Sequence, residues 1–149
     1  MNEYFLQLWL HVLGDYVTQS HWMAINKTSR FSVACLHAAV YTLPFILAFH
    51  PSYTAVMTIY GTHALIDRYR LARYVVFAKN VMLSPWFSGD YEWSDFTIND
   101  VEAGTVHTIK GCSATGYLAD TPPFLAVWLL IVVDNWLHIS INALALRYL

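Results

Sequence analysis

The sequence predicts an all-α membrane protein: a bundle of four transmembrane helices with one longer loop over about 80–121. Three observations lead there. Apolar residues make up 57% of the 149 and charged residues 12%, against roughly 25% charged in soluble domains. The apolar residues fall into four long runs, each near the roughly 20 residues that a helix needs to cross a bilayer. The few polar groups inside those runs include aspartates and histidines set four residues apart. The length suits one membrane-embedded helical domain over 1–149.

The first run, residues 4–26, carries a single charge, Asp15. The N-terminus begins with Glu3 rather than a basic segment, so this run is read as a span and not as a cleaved signal. The second, residues 31–50, carries no charge. The third, residues 53–78, is the weakest, because its uncharged stretch is 14 residues before Arg68, Arg70 and Arg73 appear. Those arginines would reach toward headgroups. The fourth, residues 122–146, carries only Asp134, with Pro122–Pro123 as its start signal. The stretch 80–121 holds most of the acidic residues, and its aromatics suit a membrane–water interface.

Four spans put both termini on one side. Lys27, Arg30, Arg70, Arg73, Lys79 and Lys110 then lie on the other side, against Arg147. The positive-inside rule places the longer connections, including 80–121, in the cytoplasm and both termini outside it, with the bacterial inner membrane as the expected location. A net charge of −2 gives no electrostatic case for nucleic acid. Cys35 and Cys112 make neither a disulfide framework nor a C-x-x-C metal motif.

Three pairs carry the chemistry. "HVLGD" supplies His11 and Asp15, "HALID" supplies His63 and Asp67, and "DNWLH" supplies Asp134 and His138. Residues four apart share a helix face. The first and third spans run in one direction and read His then Asp, whereas the fourth runs back and reads Asp then His. All three pairs can therefore set Asp toward the cytoplasm and His one turn deeper. Ionisable residues in lipid are costly and face one another or a polar cavity. Histidine with carboxylate is a ligand set for a divalent metal, zinc first and manganese or iron as alternatives. Six candidate ligands exceed a closed zinc site, so either two metals bind or some aspartates orient histidines. His37 joins or supports the site, and Gln19 and Asn142 line the same face or bond across helices. His21, His50 and His107 read as interface or loop residues.

The motifs "HVLGDYVTQSHWMAINKT", "THALIDRYRLARY" and "ATGYLADTPPFLAVWLLIVVDNWLHISIN" resemble an uncharacterised family of small polytopic membrane proteins of bacteria and phages. The resemblance covers nearly the whole chain outside 81–110 and implies the membrane topology. A looser similarity, to membrane-bound metal-dependent hydrolases, implies a hydrolase.

The leading expectation is thus a metal-dependent hydrolase acting on a membrane lipid or a phosphorylated substrate. Asp134 would be its general base with Asn135 beside it, and Arg68 either a phosphate-holding group or an interfacial anchor. The alternative is a metal-ion or proton transporter, which with four short helices needs a homo-oligomer. A third reading is a non-catalytic membrane protein whose 80–121 segment binds a host partner.

Overall fold

A computed structural model describes residues 2–83, 114–117 and 121–149. Among them every regular element is helical. The first helix, α1 (Glu3–Val12), runs into a π turn (Leu13–Val17), followed by α2 (His21–Asn26), α3 (Phe31–Phe49), α4 (Tyr53–Tyr69), α5 (Ala72–Leu83) and α6 (Pro123–Tyr148). Two of these, α3 and α6, are long and apolar enough to cross a membrane.

The other two expected spans are interrupted. The run 4–26 breaks after the π turn, and α2 starts afresh with Ser20 Oγ accepting from the Met23 N–H. The run 53–78 breaks at Arg70, which adopts a left-handed conformation. There the Leu71 N–H reaches Ile66 O and the Arg70 N–H reaches Asp67 O, closing the helix end as glycine usually does. No glycine marks that stop in the sequence. Helix α5 extends to Leu83, into the stretch read as a loop. Most of that stretch lies outside the described residues.

The chain divides into two compact units, Met1–Leu71 with Asp134–Leu149, and Ala72–Val133. In the first unit, partner residues fix the helix directions. His11 meets Tyr41 and Asp15 meets His37, so α1 and α3 are antiparallel. Gln7 meets Ile139 and His11 meets Asn135, so α1 and the C-terminal part of α6 are antiparallel too. Ser52 reaches Leu149 while His63 stacks near His138, so α4 also opposes α6. Tyr41, Phe45, Ala55, Ile59 and Ala145 form the apolar core.

Polarity in this unit is arranged inside-out. Gln7, His11, Asp15, His37, His63, Asp67, His138 and Asn142 are buried, whereas Phe5, Trp9, Leu47, Tyr53, Trp136 and Leu144 are exposed. Buried polar side chains and large exposed apolar ones are each a departure from the usual burial order. In the second unit, Ala72 and Val76 are buried, and the Asn80 side chain donates to Gly116 O at 3.0 Å. Gly116 sits at φ +82°, pressed so closely on the Arg73 carbonyl and Phe77 amide that a Cβ has no room.

Candidate metal centre

The π turn sets the first candidate donor. Its Thr18 N–H bonds Leu13 O at 2.9 Å, one residue further back than an α-helix allows. Gly14 in that turn abuts the Tyr41 ring, where a Cβ would stand 2.5 Å from Cδ2. Asp15 follows it and turns its carboxylate inward to His37.

Four groups from three segments then converge: Asp15 from the π turn, His37 from α3, and His63 and Asp67 from α4. His37 Nε2 is 3.0 Å from Asp15 Oδ1, 3.3 Å from Asp67 Oδ2 and 3.1 Å from His63 Nε2. His63 Nε2 is 3.4 Å from Asp15 Oδ1 and 3.3 Å from Asp67 Oδ2. These are five of the six edges of a tetrahedron. Ligands about 2.0–2.1 Å from a central zinc stand about 3.3–3.4 Å from one another. The four donors thus have the spacing of a tetrahedral metal shell.

Hydrogen bonds alone do not account for that spacing. Each Nε2 carries at most one hydrogen and ionised carboxylates carry none. Two protons at most are shared among five close contacts. Lys27, between α2 and α3, adds its ammonium, 3.0 Å from Asp67 Oδ2 and 3.4 Å from His37 Nε2. Even so, Asp67 Oδ2 makes no well-formed hydrogen bond. The outer nitrogens, Nδ1 of His37 and of His63, also lack a partner. The His63 ring is held instead by stacking on Tyr41, with centroids 3.7 Å apart.

A second group of three adjoins the first: Asp67 again, with Asp134 and His138 from α6. His138 Nε2 is 3.6 Å from Asp134 Oδ2 and 4.0 Å from Asp67 Oδ1. Asp134 is the most open member, its side chain 31% exposed.

The remaining residues singled out in the sequence divide differently. His11 is buried beside the centre, 3.7 Å from Asp15 Oδ2, but belongs to neither group of three or more that could hold an ion. Both its nitrogens are engaged. Asn142 Nδ2 donates to Tyr41 Oη at 2.6 Å, and the Tyr41 hydroxyl donates in turn to His11 Nδ1 at 2.8 Å. His11 Nε2–H then donates to Asn135 Oδ1 at 3.0 Å, a tautomer assigned from these partners. Asn135 is shared between His11 and Tyr16 rather than turned to Asp134. Arg68 donates to Thr28 O and lies over the Tyr69 ring. Gln19 is half-buried, its Oε1 without a partner.

Sequence reasoning missed Lys27 and Tyr41 and left His37 either joining the site or supporting it. Hairpin arithmetic offers the signal: antiparallel helices whose connection centres on residue 26 bring 37 opposite 15 and 41 opposite 11.

The family described as "Protein of unknown function (DUF3307)" matches residues 4–90, more than half of the chain. The chain belongs to that family. The DUF3307 match takes in Asp15, Lys27, His37, His63 and Asp67, and ends before Asp134 and His138. No curated protein matches the chain, and no solved structure does.

Proposed function

We propose that the chain is an integral membrane protein that holds a divalent metal, zinc before manganese or iron, and hydrolyses a lipid or another phosphorylated substrate. One observation carries this reading. Four buried donors stand at tetrahedral spacing with too few protons to join them, and a cation is what satisfies them together.

The inside-out polarity supports the membrane setting. Helix α1 with its π turn and helix α4 are shorter than α3, yet each offers lipid an apolar outer face. In this reading they are the first and third of four spans, with α2 and α5 near the interface. Lys27 leaves the positive-inside tally because it points at Asp67. Arg30, Arg70, Arg73, Lys79 and Lys110 still outnumber Arg147 and favour cytoplasmic connections with both termini outside.

Asp15, His37, His63 and Asp67 would hold the ion, which would polarise a phosphoryl or carbonyl oxygen only by expanding beyond those four donors. Asp134, whose side chain is 31% exposed, would take a proton from an attacking water. Lys27 takes the anion-holding role that was one of the two readings of Arg68, because Arg68 is engaged by the Thr28 carbonyl. A metal ion neutralising Asp67 would leave the ammonium free for a phosphate oxygen.

Metal analysis of the detergent-purified chain tests the reading. His37→Ala and His63→Ala lose bound metal, and His21→Ala, an exposed control, keeps it. Phospholipids and isoprenoid phosphates are the substrates to assay, with Asp134→Asn folded and inactive. A wild-type chain without metal would end this account.

A second reading, a proton or cation pathway, draws on one feature. Gln7, His11 and Asp15 continue along α1 and the π turn from a cavity of about 680 Å³ lined by Glu3, Gln7 and Arg147. Metal or proton flux in liposomes, without hydrolysis, would favour it.

A further inference from the structure

Asp67 belongs to both groups of donors, and its two oxygens divide between them. Oδ2 faces His37 and His63, each at 3.3 Å, while Oδ1 faces His138 at 4.0 Å. A carboxylate presenting one oxygen to each of two donor sets has the arrangement of a bridging ligand. His138 is buried, and its Nε2 has no hydrogen-bond partner. A buried ring nitrogen left unpaired carries a desolvation cost that some partner ordinarily offsets.

The distances around His138 say which partner. Its 3.6 Å to Asp134 Oδ2 and 4.0 Å to Asp67 Oδ1 are too long for hydrogen bonds. Both fall within the roughly 4.2 Å that two metal–ligand bonds can span. Three protein donors with a rim open at Asp134 leave positions for water and substrate, as catalytic sites do, whereas a four-donor shell closes. Hydrolytic two-ion sites hold their ions about 3.5–4 Å apart, the reach of one bridging carboxylate.

We infer that the centre is binuclear: a closed position formed by Asp15, His37, His63 and Asp67, and an open one formed by Asp67, Asp134 and His138, with Asp67 bridging. The inference rests on the metal-centre reading above and assigns the substrate to the open position. A phosphoryl or carbonyl oxygen would enter from the Asp134 side.

Manganese(II) serves as the probe. Titrated into the detergent-purified full chain, it should load to two ions per chain and give a spin-coupled electron paramagnetic resonance signal. His138→Ala should bind one ion with an uncoupled signal. Asp134→Asn, nearly isosteric and at a partly exposed position, should do the same and guards against misfolding of the alanine variant. Asp67→Asn should lose the coupling in any ion that remains. One ion per wild-type chain, lost in His37→Ala but unaffected by His138→Ala, would overturn the binuclear centre while leaving the single-metal reading standing. Two ions retained in both α6 variants would overturn it as well. No ion in the wild type would overturn both.

Discussion

Lys27 occupies the place where a metal's charge would be felt most, so replacing it with methionine should tighten metal binding. The ammonium lies 3.0 Å from Asp67 Oδ2, with the two side chains 17% and 5% exposed. Close charge pairs couple by about 1.5–7 kcal/mol, and an ion pair with its lysine partly exposed belongs in the lower part of that range, about 1.5–3 kcal/mol. An incoming ion must break or weaken this one. Lys27→Met removes that competition beforehand, and at about 1.4 kcal/mol per decade the Kd should fall about ten- to 150-fold. The same change strips Asp67 of its cation in the metal-free protein, so the apo Tm should drop and added metal should restore it. Competition against a chromophoric chelator in detergent gives the Kd, and thermal scans with and without metal give the second half. An unchanged or weaker affinity in a folded Lys27→Met protein would refute the idea that lysine and metal share one carboxylate.

Other changes probe the surroundings. Gly14→Ala should displace the Tyr41 ring that supports His63 and weaken metal binding about ten- to 100-fold, the range for groups that orient ligands; wild-type affinity would remove the ring from that role. Tyr41→Phe should instead keep the metal and lose about 1–3 kcal/mol of stability, because His11 Nδ1 and Asn142 Nδ2 lose their shared partner; denaturation in mixed micelles reads this directly. His50 ends α3 at φ 47°, so His50→Gly should stabilise by about 1 kcal/mol, seen as a higher Tm. A reporter fused after Leu149 should read extracytoplasmic and one inserted near Asn99 cytoplasmic; the opposite pattern in both reverses the orientation.

What could be read in the sequence depended on how local each feature is. The pairs His11/Asp15, His63/Asp67 and Asp134/His138 are visible because spacing by four is a property of one helix, and their reversed order follows from chain direction. His37 has no carboxylate four residues away; its partner at that spacing is Tyr41, which reads as an apolar core residue until its hydroxyl is placed. Lys27 reads as a juxtamembrane cation, since only the turn over 27–30 decides that it points inward at Asp67. The stop at Arg70 was hidden because a left-handed cap usually advertises itself with glycine. Asn135 beside Asp134 suggested a partnership, but neighbours in sequence face different sides of a helix, and Asn135 faces His11.

The π turn over Leu13–Val17 has a consequence for how this chain tolerates change in length. A π turn contains one residue more than the α-helix around it needs. Deleting a residue there would leave α1 regular and continuous, so an isolated peptide of this segment would lose no helicity. In the folded chain the outcome differs. Each residue advances an α-helix by about 100°, and closing the turn would swing the preceding segment round by that angle relative to Asp15. His11 would leave Tyr41, and Gln7 would leave the Ile139 carbonyl. The extra residue thus acts as a phase shifter between two stretches of one helix, and the register it sets lets one of them carry Asp15 while the other holds the Tyr41 hydroxyl.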